Sequence, residues 1–512
     1  MTPFKYFLLS LLSIVSTFAS AQGPMNVQWS KWYDHESTVT PQAYFGNDSS
    51  GYYGILETYN YYANAFIKRK QQDLAFFKLD LKGEFVFTKK LSLKYKEETV
   101  RISQDHTIGG QYYLFANFQS KKEKTVTILV YTLDKKGNVS ASPRELMVLP
   151  TLDEDDYAYE CYQDKDSSAF YIRSSTGQNL EKGSFRLFKF DTALNLVATQ
   201  DFKFPTDEFY QPDQMILHRN KIYILGLVPR DLEVKRAAKY KLSSYDLKTY
   251  QSAHESITLN TGTTASCYLD FDAQENPVLT GFYVKEMRFK WDSKLLDGFY
   301  CLKFDYATGN EIFNIQKEFP QEVMMEFTTE KKAAAGFLLS ELRIKSINNR
   351  SDGSMYIVSE HAANTYSGDH IYYTYQNLIV TSISKEGTIE WFKTIPKPKQ
   401  SSIMIDHVRF YSFLQGSAGD NVFFLYNENY DNPNRPKTID HAGLINCNDV
   451  ITTLATLDRK GNLTRQTVFK EDNPKHKTCI EPINSLKISE DTFILFRTSG
   501  QDAKLGLLNF KK

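Results

Sequence analysis

Apolar and polar residues alternate over short stretches of this chain, and the alternating stretches come in pairs around a polar turn. Two of these pairs share nearly the same phrase, LVYTLDKKGNV at 129–139 and LATLDRKGNL at 454–463. A period of two predicts β-strands, and a tight turn with Asp and Gly between two of them predicts a β-hairpin. Seven such hairpins begin at residues 74, 128, 185, 241, 298, 378 and 451.

A second pair of predicted strands precedes most of these hairpins, so the repeating unit is four antiparallel strands. The turn aspartates mark the period, since neighbouring markers stand 54 to 59 residues apart. These markers are Asp80, Asp134, Asp191, Asp246 and Asp305. A period of this size with four strands per unit predicts a β-propeller.

The two ends of the chain supply the strands of one further blade. A strand at 504–510 has no partner after it, and a strand at 25–33 has none before it. Pairing the two closes the ring and removes two exposed edges. We therefore predict an all-β chain with one propeller of eight blades over residues 22–512, closed by the N-terminal strand. The count is seven if the weakest unit, the first, is not a true blade.

The resemblance that these repeats carry is to the β-propeller superfold as a class, over the whole chain after residue 21. No WD dipeptide series, kelch double glycine or regular Asp-box occurs, so no particular family is indicated. The richness in Lys, Tyr, Phe and Asn is similar to that of secreted proteins of Bacteroidetes-type bacteria. A fold alone does not imply a function.

The first 21 residues have the layout of a secretory signal peptide. Lys5 precedes an apolar run from Tyr6 to Phe18, and Ala19-Ser20-Ala21 predicts cleavage before Gln22. This run is too short to span a bilayer, and no later stretch approaches twenty apolar residues. The residue after the predicted cleavage site is not cysteine, which disfavours a lipoprotein. We therefore expect a protein exported to the periplasm or the medium, without membrane insertion.

The charge of the chain bears on its possible partners, and its cysteine content excludes two classes of protein. The chain has 61 basic and 61 acidic residues, so nothing in its charge favours nucleic acid as a partner. Its five cysteines include no C-x-x-C pair, which excludes a zinc ribbon and a disulfide-dense scaffold. Cys447 and Cys479 are expected on one face of adjacent blades and are a candidate disulfide.

Strand alternation divides the loops between two faces of the propeller. With strands A to D running outward, the A–B and C–D turns share the turn face, and the B–C loops and D–A links share the loop face. The C–D turns are short, whereas blades four to seven have long B–C loops, that of blade six over residues 361–376. The link between blades five and six, residues 321–342, is long enough for a helix on the same face. Loops beyond a dozen residues are uncommon unless they are functional or disordered. We therefore predict that the loop face of blades four to seven is the binding surface; decoration of the rim is the alternative interpretation.

Candidate ligand-binding residues are aromatic, cationic or imidazole side chains that fall on this loop face. They are Trp291, Tyr366, His370, Tyr372, Tyr373, Tyr375, His407, Arg409, Arg435 and His441. The aromatic members suit stacking on sugar rings or anchoring a protein partner, and packing within the loops is the other interpretation. His370, His407 and His441 each follow an aspartate, so they are also candidate ligands for a divalent metal. Isolated hydrogen-bonded histidines are the competing interpretation, and we predict no cofactor.

No catalytic motif is present: the chain has no G-x-S-x-G, no P-loop and no dinucleotide fingerprint. The sequence therefore favours an exported, non-catalytic propeller that binds a protein or glycan of the cell envelope. The alternative is a secreted hydrolase or lyase acting on polysaccharide or peptide, with His and Asp or Glu converging over the central channel. A structural envelope scaffold is the third interpretation.

Overall fold

Eight four-stranded antiparallel sheets form the protein, and together they make an eight-bladed β-propeller. The computed structural model describes residues 24–31, 38–59, 73–150, 159–163, 169–175, 183–204, 211–228, 239–285, 295–334, 339–367, 370–398, 400–402, 410–429, 450–469, 479–499 and 502–511. The predicted fold class and blade count are confirmed.

The blades follow one another in chain order, and in each the first strand, A, is innermost. Blade one has Thr38–Asp48, Gly51–Tyr59, Asp73–Leu79 and Phe85–Leu91. Blade two has Arg101–Ile108, Gln111–Ser120, Thr125–Leu133 and Arg144–Pro150. Blade three has Tyr159–Gln163, Phe170–Ser174, Ser184–Phe190 and Leu196–Lys203. Blade four has Gln211–His218, Lys221–Val228, Lys239–Asp246 and Ser252–Ser256.

The second half of the ring repeats this plan with more additions. Blade five has Thr263–Phe271, Pro277–Val284, Gly298–Phe304 and Glu311–Glu318. Blade six has Leu342–Asn349, Met355–Ser367, His370–Ile383 and Ile389–Ile395, with Gln400–Ser402 added to its third strand. Blade seven has Leu414–Ala418, Asn421–Asn429, Val450–Leu457 and Leu463–Phe469. Blade eight has a divided inner strand, Cys479–Ile480 and Leu486–Lys487, then Thr492–Ser499, Asp502–Phe510 and the N-terminal Met25–Trp29.

Minor elements connect these blades. Lys94–Tyr95 pairs with Glu98–Thr99 between blades one and two, and Leu295–Leu296 pairs with Leu339–Ser340 beside blade five. The predicted helical link between blades five and six holds two short helices, Gln321–Met325 and Glu330–Ala334. A 3-10 turn, Pro482–Asn484, divides the inner strand of blade eight. In the described part of the chain no helix has the length and hydropathy needed to cross a membrane.

The N-terminal strand closes the ring as predicted. Met25 to Trp29 pairs antiparallel with Phe510 to Gly506, which makes the first strand of the chain the outer strand of the last blade. Apolar clusters fill the spaces between blades: the described residues form eight of them, and each joins two neighbours around the ring. The core is therefore a circle of sheet-to-sheet contacts, and it depends on every blade having a neighbour on both sides.

The repeated Asp-x-x-Gly phrase has one structural role in blades two and seven. Asp134 Oδ1 accepts hydrogen bonds from the backbone N–H of Lys136 and Asn138, at 2.8 Å each, and Asp458 does the same in blade seven. Gly137 has φ +73°, and a Cβ there would stand 2.9 Å from the ring of Phe76 in blade one. The phrase is repeated because each copy both reverses the chain and fits its turn against the preceding blade.

Side chains also connect the inner strands of neighbouring blades. Most of these contacts are hydrogen bonds from an amide or hydroxyl group in one blade to the backbone of a neighbouring blade. They are Thr107 Oγ1 to Phe45 O at 3.0 Å, Gln214 Nε2 to Leu269 O at 2.7 Å, Asn349 Nδ2 to Phe271 O at 3.0 Å, and Ser346 Oγ to Gln415 Oε1 at 2.8 Å. Polar rungs of this kind fix the inner strands around the axis and satisfy backbone groups that the sheets leave unpaired.

Candidate functional site on the loop face

Among the described residues, five inner strands carry a β-bulge in the half nearer the loop face. In blade six the register shifts between Ile344 and Ser346, so Lys345 is the extra residue. Blades one, two, four and five have matching shifts. The residues at these bulges are Gln42, Ser103, Asp213, Ala265 and Lys345, and all except the half-buried Ala265 are exposed. A bulge re-aims a side chain and is common beside functional sites, so the loop-face end of the axis is ringed by side chains presented to solvent.

Blade six extends beyond its own sheet on this face. Its inner strand pairs with strand B only as far as His361, and its outer strand pairs with strand C only from Leu378 onward. Residues 362–367 and 370–375 continue the B–C pairing past both limits, and Gln400–Ser402 adds a third strand at Tyr373 to Tyr375. We call these three segments the blade-six hairpin. Our prediction of a long loop over residues 361–376 is therefore wrong: that segment is mostly β-ribbon.

The tyrosines of this hairpin occupy different surroundings. Tyr372 has 37% of its surface exposed, whereas Tyr373 and Tyr375 are half-buried. Because side chains alternate along a strand, Tyr373 and Tyr375 share one side and Tyr372 lies on the other. The ring of Tyr375 stands 6.0 Å from that of the buried Tyr411, between centroids. Tyr372 is thus available to a partner, while Tyr375 is held in place from behind.

A buried ionic cluster lies under the hairpin, where blade six passes to blade seven. Glu360 and Lys397 are both fully buried, and Lys397 Nζ stands 3.1 Å from Glu360 Oε1. Ser412 Oγ donates a hydrogen bond of 2.8 Å to Glu360 Oε2, and Lys345 Nζ lies 3.1 Å from the same oxygen. Burial lowers the pKa of Lys397, and the Glu360 carboxylate opposes that change. The cluster fixes the blade-six hairpin and the link to blade seven around one carboxylate.

A second buried carboxylate lies close by in blade seven. Glu428 is fully buried, forms an ion pair with Arg465 and accepts a hydrogen bond of 3.1 Å from Thr453 Oγ1. Lys397 is within electrostatic range of both Glu428 and Glu360. Buried charges require such partners because leaving one unpaired in the interior is costly.

Two cations reach the surface above this cluster. The side chain of Lys345 is 31% exposed, and its Nζ stands 5.6 Å from the centre of the Tyr375 ring. Arg343 is exposed on the same inner strand. Burial raises the pKa of the Tyr375 hydroxyl, and the nearby Arg343 opposes that change. Within the described ranges, no carboxylate lies within ion-pair distance of Arg343. The arrangement presents positive charge beside an aromatic ring, at the loop-face end of the axis.

These charged residues were missed from the sequence, although one signal was available. Glu360 falls inside the apolar run MYIVSEHAA of a central strand, where an unpartnered carboxylate is unfavourable. That position alone predicts a buried partner. It does not identify the partner, because Lys397 is 37 residues away along the chain and arrives through a link between blades.

Several predicted site residues fall where the structure gives no description. Trp291, His407, Arg409, Arg435 and His441 lie outside the described residues. Tyr366 and His370 are backbone positions of the blade-six hairpin, in register with Ile371 and Ser367 respectively. Both interpretations of His370, His407 and His441, as isolated hydrogen-bonded histidines and as candidate metal ligands, therefore stay predictions. Among the described residues no group of three His, Cys, Asp or Glu side chains is placed to hold a metal ion.

The described cysteines divide into free and bonded groups. Cys161, Cys267 and Cys301 are free, and burial raises the pKa of the Cys161 and Cys267 thiols to about 12. Such thiols are unreactive at neutral pH because the nucleophilic thiolate is scarcely populated. Cys479 is buried and disulfide-bonded. Its predicted partner, Cys447, lies outside the described residues, so the pairing stays a prediction.

Comparison with known proteins shows likeness of fold only. No protein-family profile matches the chain, and no curated protein matches its sequence. Among solved structures, the WD40 domain of SCAP from fission yeast is 8% identical, with a TM-score of 0.44 over 96% of each chain. The β-propeller domain of the Trilobed protease from Pyrococcus furiosus is 11% identical, with a TM-score of 0.37 over 86% of this chain and 98% of that one. The polysaccharide lyase Uly1 is 9% identical, with a TM-score of 0.34 over 81% and 94%. These values assign no function to the chain.

Proposed function

We propose that this protein is an exported, non-catalytic binding module, and that its loop face recognises a protein or glycan of the cell envelope. One observation carries the proposal: the blade-six hairpin extends past its own sheet and exposes Tyr372. Folding of the ring does not require that extension, because the sheet pairing of blade six is complete without it. Exposed tyrosine is typical of recognition surfaces, since it offers a large rigid contact area with a polar tip.

The support beneath the hairpin favours the same interpretation. A binding surface gains affinity when it is rigid before the ligand arrives. The third strand at residues 400–402 and the Glu360 cluster hold the hairpin from one side and from below. A ring decoration without a binding role would not need this bracing.

Export of the protein from the cytoplasm forms part of the proposal. Residues 1–21 have the features of a signal peptide, so we expect the mature chain to begin at Gln22 in the periplasm or the medium. Fractionation of the native cells followed by N-terminal sequencing tests this. A chain that is retained in the cytoplasm with residues 1–21 intact would contradict export.

A screen of purified protein against arrays of glycans and peptides, with pull-down from the envelope fraction, tests the binding function. The expected result is retention of one ligand class by the parent protein, with loss of retention in Tyr372→Ala. Product analysis after incubation separates binding from the alternative, since cleavage of any member would identify a hydrolase or lyase. A protein that captures nothing from the arrays or the envelope fraction would favour a structural scaffold and overturn the proposal.

A further inference from the structure

We infer that Arg343, Lys345 and Tyr375 form a subsite for a carboxylate-bearing sugar of an acidic glycan. The inference rests on the proposed function and narrows it to one ligand class. Positive and negative charges around Glu360 are not balanced. Lys397 is the fully buried cation beside this carboxylate, and Lys345 contacts it from the exposed side. Two lysines therefore share one negative charge, and the second buried carboxylate, Glu428, is already paired with Arg465.

The surplus positive charge is directed outward. Lys345 has 31% of its side chain exposed, although its Nζ is held 3.1 Å from a buried carboxylate oxygen. Arg343, also exposed, adds a second cation that has no carboxylate partner among the described residues. An anion approaching from the loop face would meet both cations without displacing a surface ion pair of Arg343. Such an encounter is favourable at low ionic strength and weakens with added salt.

The bulge positions Lys345 for this role. In a regular strand, the side chain of residue 345 would point to the side opposite those of Ile344 and Ser346. Here Lys345 is an extra residue outside the ladder of paired residues, so this alternation does not set its direction. The four equivalent bulges carry Gln42, Ser103, Asp213 and Ala265, so blade six is the only one of these five bulges with a cation. The polar side chains at the other positions suit hydroxyl groups better than further negative charge. Among these five described bulges, the one in blade six is therefore the one that offers positive charge to an anion.

Tyr375 favours a sugar acid over a simple anion. Its ring stands 5.6 Å from Lys345 Nζ and is packed against Tyr411 at 6.0 Å, so its orientation is fixed. The C–H bonds on one face of a pyranose carry partial positive charge and suit the negative face of an aromatic ring. A uronate combines such a face with a carboxylate on the same ring. Tyr373, two residues along the same side of the strand, extends the aromatic surface toward a neighbouring sugar.

Binding measured by calorimetry to uronate polymers tests the inference directly. The probes are polygalacturonate, polymannuronate and a glucuronate-containing polymer, each paired with its carboxyl-reduced neutral form, and polyglutamate as an acidic peptide. We expect at least one uronate polymer to bind, and its reduced form to bind at least tenfold more weakly. Lys345→Gln and Arg343→Gln should each weaken binding of that polymer about tenfold, and Lys345→Arg should restore most of it.

The matched control is Lys385→Gln, which removes an exposed lysine from the turn face of the same blade. Its affinity should equal that of the parent, and melting curves establish that every variant is folded. Equal binding of uronate and reduced polymers, unchanged affinity in both cation variants, or no uronate binding would overturn the subsite. Tighter binding of polyglutamate with the same dependence on Lys345 would overturn the glycan assignment in favour of an acidic peptide. Binding of a neutral glycan or a peptide that needs Tyr372 but not Lys345 would leave the proposed function standing without this subsite.

Discussion

The two faces of the propeller are built from the same strands but by different means. On the turn face, short C–D turns repeat one solution, in which an aspartate caps the turn and a glycine fits against the preceding blade. On the loop face, blade six carries an extended hairpin over a buried ionic cluster. Repetition marks what every blade needs in order to close the ring. The unrepeated structure is where selection for a specific partner can act.

A carboxylate in a turn and a carboxylate on an inner strand have pKa values that are shifted in opposite directions. Hydrogen bonds from the side chain and backbone of Asn462 lower the pKa of Asp458 in the blade-seven turn. On the inner strand of blade two, burial raises the pKa of Asp105 to about 6. The turn carboxylate is stabilised when ionised, whereas the inner-strand carboxylate is destabilised when ionised.

The largest effect is expected at the buried cluster of the loop face. Glu360→Gln keeps the shape of the side chain but leaves Lys397 without the carboxylate at 3.1 Å. Removing one partner of a buried ion pair costs about 3–5 kcal/mol. Chemical denaturation should show this loss in the free energy of unfolding, and the double variant Glu360→Leu/Lys397→Met should recover most of it. A Glu360→Gln protein as stable as the parent would show that the cluster does not brace the hairpin.

The turn face should respond to substitutions at glycine according to what the glycine touches. Gly137 and Gly110 both have positive φ, +73° and +79°, in turns of blade two. A Cβ on Gly137 would meet Phe76 at 2.9 Å, whereas a Cβ on Gly110 would meet nothing within 4 Å. Gly110→Ala should cost about 1 kcal/mol from backbone strain alone, and Gly137→Ala about 2–3 kcal/mol because overpacking adds to that strain. Equal losses of unfolding free energy in Gly110→Ala and Gly137→Ala would contradict a packing role for the repeated glycine.

The opposite pKa shifts predict opposite dependences on pH. Because the folded state holds the proton of Asp105 up to about pH 6, this group lowers stability as pH rises from about 4 to 6. Asp105→Asn should therefore be more stable than the parent by about 1–3 kcal/mol at pH 7, and the two should converge near pH 4. Asp458→Asn should be less stable than the parent at pH 7, since the lowered pKa of Asp458 contributes stability that is lost on acidification. Denaturation at pH 4 and pH 7 measures both, and the same sign for the two variants would contradict the contrast.

The smallest effect on stability is expected at Tyr372, an exposed residue of the blade-six hairpin. Tyr372→Ala removes a side chain that is 37% exposed on the blade-six hairpin, and it should change the free energy of unfolding by less than about 0.5 kcal/mol. The melting temperature checks this. A loss of more than about 1 kcal/mol would mean that the tyrosine belongs to the core of the hairpin and does not serve recognition.

The sequence predicted the repeated half of this structure better than the unrepeated half. Asp134 and Asp458 predict their turns because the hydrogen bonds that each aspartate accepts from the turn backbone are local, and the pattern recurs from blade to blade. The segment IYYTYQ in the blade-six hairpin has aromatic residues on both sides of the strand, so the contrast that predicts a strand is absent and a loop was predicted. The Glu360 cluster could not be assembled from sequence because its partners come from an inner strand and an interblade link.

Thermal melting with two matched tyrosine variants tests whether the loop face is the binding surface. Parent protein, Tyr372→Ala/Tyr373→Ala on the loop face and Tyr250→Ala on the turn face would be melted with the same glycan and peptide panel. Tyr250 is 53% exposed, which makes it a fair counterpart. A ligand that binds the folded state raises the midpoint of the parent. We predict that Tyr250→Ala keeps this shift and that the loop-face variant loses it. A shift lost only in Tyr250→Ala would place recognition on the turn face and contradict binding at the loop face.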